Sequence, residues 1–192
     1  MYRELGLVLA GVFTGLAAQA VAQPQSDMPP WLVDQTADAG LAFTWISGHD
    51  GDFLMPEIVG GGVALLDYDG DGDLDVYFAQ GGDLSTAWDD PAANPHINRL
   101  FRNDGKWSFT DVTETAGGGD GGYAMGVAVG DIDADGDPDL YITNAGRNTM
   151  LRNDGGVFHD ITEASGTGHG GWGASAAFFD ADGDGDLDLY AT

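Results

Sequence analysis

The chain has 192 residues, a net charge of −26, no cysteine, and 6 Lys plus Arg against 32 Asp plus Glu. That balance excludes a basic nucleic-acid surface, and the missing thiols exclude disulfides, zinc–thiolate sites and a cysteine nucleophile. Of the acidic residues 28 are Asp and 4 are Glu, beside 32 Gly, which favours turns over helices, while 43% apolar residues suffice for a core.

From the N-terminus, residues 5–18 form an apolar run behind Arg3, and Ala20-Val21-Ala22 gives a small-x-small site. This pattern predicts a signal peptide over residues 1–22 and a mature chain from Gln23 that is secreted, extracellular or periplasmic. No later segment is apolar enough to cross a bilayer, so no transmembrane segment is expected in the mature chain. Residues 23–39 read as an N-terminal linker, and residues 40–192 as one repeated domain. Residues 41–46 (Leu-Ala-Phe-Thr-Trp-Ile) read as a lone outer strand.

The repeat has two alternating units. The first is D-x-D-x-D-G-x-x-D, placed at Asp67, Asp69, Asp71, Asp73 and Asp75, at Asp131, Asp133, Asp135, Asp137 and Asp139, and at Asp180, Asp182, Asp184, Asp186 and Asp188. The second is Asn-Arg-Leu-Phe-Arg-Asn-Asp-Gly at 98–105, echoed as Asn-Thr-Met-Leu-Arg-Asn-Asp-Gly at 148–155. The spacing of about 50 residues is that of propeller blades or stacked arrays. Each period parses into four short strands. The first precedes the Asp loop (63–66, 127–129, 176–179), and the second leaves it with Leu74, Val76 and Phe78 on one side and Asp75 and Tyr77 on the other. Arg99 and Thr149 open the third strands. Asn-Asp-Gly supplies the turn, and the fourth strands run over 108–113 and 157–162. The fold expected is all-β: a partial β-propeller of four-stranded antiparallel blades with calcium loops between their first two strands.

In each Asp loop, carboxylates at positions 1, 3 and 5 converge if Gly at position 6 allows the sharp turn. Position 7 offers its backbone carbonyl and position 9 another carboxylate, a hard-oxygen set suited to Ca2+. Asp73, Asp137 and Asp186 therefore count through their carbonyls, with side chains left in solvent. An EF-hand is excluded because position 12 is Phe78, Ile142 or Ala191 instead of Glu.

Strand, Asp loop and Leu/Val-Tyr strand together resemble the FG-GAP or VCBS-type repeat of integrin alpha-subunit propellers. The closer resemblance is to the cartilage acidic protein family, whose bacterial members carry an ASPIC/UnbV domain. It rests on Gly40-Leu-Ala-Phe-Thr44, on Met55-Pro-Glu-Ile-Val-Gly-Gly-Gly-Val-Ala-Leu-Leu-Asp67 and on the Asn-x-Leu-Phe-Arg-Asn-Asp-Gly unit. Literal Phe-Gly and Gly-Ala-Pro elements are absent, and no ASPIC/UnbV segment is present. The resemblance implies structural calcium and an extracellular setting. Against the roughly four to eight blades of closed propellers, about three copies make this an incomplete ring, expected to be the N-terminal piece of a longer secreted protein. Assembly of short chains into one ring is the alternative.

No catalytic pattern emerges. His49, His96, His159 and His169 lack metal-ligand spacing, and neither a G-x-S-x-G elbow nor a phosphate loop occurs. Residues 117–122 read as a flexible glycine connection, and Trp31, Trp45, Trp107 and Trp172 as packing. Trp88, in the insert at 81–97, is a candidate ligand contact, because long loops often carry function. Two functions follow: a non-enzymatic module binding an extracellular protein or glycan, or part of an enzyme whose active site lies outside these residues.

Overall fold

The computed structural model describes residues 32–192, and its compact unit runs over Asp34–Thr192. The expected signal peptide and the start of the linker lie outside the described residues. Among those described, no helix is long and apolar enough to cross a membrane.

The chain folds as an all-β, partial-propeller-like array. Strands β1 (Val63–Leu66), β2 (Asp75–Phe78), β3 (Arg99–Asn103) and β4 (Phe109–Asp111) form one antiparallel sheet in sequence order. Strands β5 (Tyr123–Gly130), β6 (Asp139–Ala145), β7 (Thr149–Asn153) and β8 (Phe158–Asp160) form the second, and β9 (Ala176–Phe179) pairs with β10 (Asp188–Ala191) in a third. Leu66 pairs with Asp75, Gly130 with Asp139 and Phe179 with Asp188, so every Asp loop is the connection of a sheet's first hairpin. Strands on both sides of the loop confirm that it is no EF-hand.

Small residues on the first strands let the sheets crowd together. A Cβ on Gly62 would lie 3.1 Å from the Gly126 Cα, so the two inner chains pass almost in backbone contact. Outward from there, the tyrosine after each loop wedges between sheets. Tyr77 is fully buried and its hydroxyl donates to the Gly118 carbonyl at 2.8 Å; Tyr141 donates to Thr167 at 2.9 Å. Tyr190, the third of the series, is 62% exposed. The opposite side of the first sheet packs Phe78 between Phe43, stacked at 4.5 Å, and Phe101, edge-on at 5.8 Å. The Asn just before each third strand is buried: the Asn98 Oδ1 accepts from Gln80 N–H at 2.7 Å, and the Asn148 Oδ1 from Asn144 N–H at 2.9 Å.

Three expectations are corrected. Residues 41–46 make no strand: the Gln80 side chain binds them through Ile46 N–H and the Thr44 carbonyl, which leaves no ladder. A turn seen elsewhere in the repeat also recurs just before them, from Asp34. Asp34, Asp111 and Asp160 each accept the N–H of the Thr two residues on, at 2.9, 3.0 and 2.9 Å, opening a turn that ends at Gly40, Gly117 or Gly166. These turns include two short helices, α3 (Thr113–Ala116) and α4 (Thr162–Ser165). Gly40 lies against the Phe109 carbonyl as Gly117 lies against that of Phe158. Asp34–Gly40 thus packs toward the first sheet as Asp111–Gly117 packs toward the second.

Second, residues 117–122 are not a loose connection. The Gly118 carbonyl holds Tyr77, Asn98 N–H donates to the Asp120 carbonyl at 2.9 Å, and Asn94 Nδ2 donates to the Gly121 carbonyl at 2.9 Å. The Asp120 carboxylate takes Thr149 Oγ1 at 2.9 Å and Asn144 Nδ2 at 3.3 Å, and burial pushes its pKa up. Third, Trp107 does not pack in a core; it stands 78% exposed at the turn after β3.

Candidate metal loops

Each Asp loop is built first as a hydrogen-bonded turn. The opening Asp folds the chain over itself: Asp67 accepts N–H groups of Asp71 and Gly72, both at 3.0 Å, and Asp131 accepts those of Asp135 and Gly136 at 3.1 and 3.0 Å. Asp180 does the same with Gly183 and Gly185 at 2.7 and 3.1 Å. Position 5 then accepts from position 7, as in Asp71 with Asp73 and Asp135 with Asp137, both at 2.9 Å. Glycine at position 6 takes φ near +92°, +100° and +96° at Gly72, Gly136 and Gly185, as the spacing predicts. Position 4 is also left-handed, at Gly70, Ala134 and Gly183. Ala134, at φ 59°, carries the strain that glycine avoids in the other two loops.

The turns gather carboxylates. Asp67, Asp69 and Asp71 bring one oxygen each to within 4.8 Å of one another, and so do Asp131, Asp133 and Asp139, and Asp180, Asp182 and Asp188. Asp75, Asp135 and Asp184 stand outside these triplets, as do Asp73, Asp137 and Asp186. The donors fit a hard divalent cation: every triplet side chain is a carboxylate, each oxygen has a lone pair beyond the one its N–H bond uses, and the loops contain no Lys or Arg of their own, although Arg152 Nε approaches Asp133 Oδ2 at 3.9 Å.

Position 9 also does something the spacing alone does not reveal. Asp75 and Asp139 are fully buried. The Asp75 Oδ2 accepts from Tyr68 N–H at 2.9 Å and its Oδ1 from Asn103 N–H at 2.7 Å; Asp139 takes Ile132 at 2.8 Å and Asn153 at 2.7 Å in the same way. One carboxylate therefore ties its loop to the third strand of its own sheet. Burial raises the pKa of both, the two N–H bonds oppose it, and neighbouring loop Asp residues add to it. Asp188 is exposed and keeps only the first bond, from Ala181 N–H at 2.8 Å.

Position 7 is not simply solvated either. The Asp137 side chain accepts Gly155 N–H at 2.7 Å, reaching the Asn-Asp-Gly turn of its own sheet. The Asn of that turn reaches further: Asn153 Nδ2 donates to the Tyr68 carbonyl, inside the first loop, at 2.8 Å. Its counterpart Asn103 donates to Leu74, in its own sheet's loop, at 3.1 Å. The Asn-Asp-Gly units are clamps on Asp loops as well as turns.

Comparison with known proteins agrees with this geometry. The FG-GAP-like repeat model matches twice, over residues 67–142 and 131–191, each match opening on the first Asp of a loop. No match is found among curated proteins. Together the two matches run from the first Asp loop through β2 to β10, more than half of the chain, and the chain belongs to the FG-GAP-like repeat family.

Proposed function

We propose that this is a secreted, calcium-stabilised binding module of the cartilage acidic protein type, which presents its loops to an extracellular protein or glycan. The observation that carries the calcium reading is that a carboxylate triplet recurs in all three hairpin loops, positions 1 and 3 joined by position 5 in the first and by position 9 in the other two. When bound, calcium supplies positive charge to a chain of net charge −26 whose folded state otherwise repels itself. Asp67, Asp131 and Asp180 fold the loops, the remaining triplet members complete the donor sets, and the buried Asp75 and Asp139 transmit loop order to the sheets.

Titration of chelated protein with calcium should give three ions per chain. Extracellular sites of this kind bind at about 10⁻⁴–10⁻³ M, and each site filled to a hundred times its dissociation constant adds about 2.7 kcal/mol. Asp69→Ala and Asp133→Ala should each remove one ion, and the third loop, exposed throughout, should be the weakest. Absence of both calcium heat and a thermal shift would overturn the reading. Retention of the calcium-loaded protein on polysaccharide or extracellular-protein arrays, lost in chelator, checks the partner class.

Export rests on the apolar run at 5–18 and on Ala20-Val21-Ala22. N-terminal sequencing of exported protein should start at Gln23. Soluble protein that retains Met1 refutes it.

A further inference from the structure

The first repeat copy carries two inserts, one absent from both later copies and one absent from the second copy. Ten positions separate Gly117 from Val127 and Gly166 from Ala176, whereas 23 separate Gly40 from Val63. Likewise 10 positions separate Asp139 from Thr149, but 24 separate Asp75 from Arg99. The first insert holds the short helix α1 (Met55–Val59) and the second α2 (Leu84–Asp89). They are far apart in sequence yet meet: Gly82 N–H donates to the Ile46 carbonyl at 2.7 Å, and Gly48 presses on the Gly82 backbone so closely that a Cβ would collide with it. Ala87 of α2 anchors the second insert, packing with Tyr123, Met125 and Ala145 of the neighbouring sheet.

Between the inserts lies a cleft of about 290 Å³ lined by residues of these two segments and by none of the repeat framework. One wall is apolar, made by Leu54, Leu84 and the half-exposed indole of Trp88. The rest carries three carboxylates, Asp50, Glu57 and Asp83, and no Lys or Arg. The Glu57 side chain is only 5% exposed, held by Leu54 N–H at 3.0 Å and by His49 Nδ1 at 3.4 Å. Asp83 caps α2 through one oxygen alone, which takes Thr86 N–H and Ser85 Oγ at 2.7 Å each. Those bonds, from Thr86 first and then Ser85, hold its carboxyl down at about 2, so it stays charged at neutral pH.

We propose that this cleft binds an ammonium group on an apolar stem, the chemistry of a lysine side chain. A bare divalent ion would leave the Leu54, Leu84 and Trp88 wall unused, because such ions take oxygen ligands all round. A neutral apolar ligand would bury the carboxylates without a partner. An ammonium on a short stem satisfies both: its charge meets Asp50, Glu57 and Asp83, its methylenes lie along the leucines, and Trp88 offers a ring face for a cation–π contact. The inference deepens the binding-module reading by giving one loop cluster a ligand class, and it does not require the Asp loops to hold calcium.

The test uses the full chain in saturating calcium, with Nα-acetyl-lysine methylamide as probe and the Trp88 indole N–H as NMR reporter. The norleucine analogue supplies the stem without the charge, and glucosamine an ammonium without the stem. The lysine derivative should bind at least about tenfold more tightly than either, and added salt should weaken it. Trp88→Ala, read by calorimetry because it removes the NMR reporter, should weaken binding about tenfold. Asp83→Asn, which keeps the helix cap, should weaken it with no loss of melting temperature. Equal binding of the norleucine analogue, unchanged binding by Trp88→Ala, or no binding at all overturns the proposal. If the probe fails while three calcium ions still bind, only the cleft assignment falls; if the probe binds and calcium does not, the calcium-module reading falls alone.

Discussion

Asp139→Ala should destabilise chelated protein by about 2–5 kcal/mol, because it strands one buried and one partly buried N–H group at roughly 1–3 kcal/mol each. The donors are Ile132 and Asn153, which now reach the two oxygens of a fully buried carboxylate. Asp75→Ala should cost a similar amount through Tyr68 and Asn103. Asp188→Ala should cost under about 1 kcal/mol, since its single N–H partner lies where water can replace the lost acceptor. Working in chelator separates this structural role from any loss of a metal ligand. Asp139→Asn should fall between, because the amide keeps one acceptor and turns an N–H toward the other donor. Urea midpoints for the variants decide the matter: equal losses at Asp139 and Asp188 would show that the buried bonds contribute little.

That asymmetry marks where sequence reading stopped. A D-x-D-x-D-G-x-x-D spacing states that oxygens can converge, and the triplets at 67/69/71, 131/133/139 and 180/182/188 do so. It does not state which Asp faces the interior, since that depends on the third strand arriving beside the loop. Asp75 and Asp139 read only as further carboxylate ligands until Asn103 and Asn153 are placed against them. The carboxylate of Asp137 reads as solvated for the same reason. Its partner, the Gly155 N–H, is 18 residues away and is brought near only by two turns of antiparallel chain.

The strands themselves were legible. β1 and β9 have the extents that the apolar runs predict, because each run is bounded by glycine or serine on one side and an Asp loop on the other. Inner-strand contact extends β5 back to Tyr123, well before the expected start at 127, across a bulge between Ala124 and Gly126. The tail at Asp34–Gly40 went unread because the Asp-x-Thr pattern is short and its neighbour, the apolar 41–46 run, offers a stronger strand signal. Propensity favoured a strand there. Competition from the Gln80 side chain for Ile46 N–H and the Thr44 carbonyl prevents one. The cleft beside Trp88 was half visible: the insert at 81–97 stood out by length, but its meeting with the other insert is a property of the fold.

Asn153→Ala should lower stability by about 2–4 kcal/mol and also weaken calcium at the first loop, although Asn153 belongs to the second sheet. The side chain is fully buried and bridges two elements: Nδ2 donates to the Tyr68 carbonyl at 2.8 Å, and Oδ1 accepts Gly156 N–H at 2.8 Å. Alanine leaves both groups without partners, at roughly 1–3 kcal/mol apiece. Tyr68 lies between Asp67 and Asp69, two members of the first triplet, so a carbonyl freed to seek another donor disturbs the backbone that aims them. Gly156 adds contact from the same turn, since a Cβ there would sit 3.6 Å from the Asp69 Cβ. The control is Asn103→Ala. Asn103 is partly exposed and binds Leu74 in its own sheet's loop, so its loss should cost less and leave the second loop's affinity unchanged. Calcium titration in a background where Asp133→Ala and Asp182→Ala silence the other loops isolates the first site, and Asp69→Ala with Asp182→Ala isolates the second for the control. A first-site affinity that stays the same in Asn153→Ala would show that the sheets do not couple through this clamp.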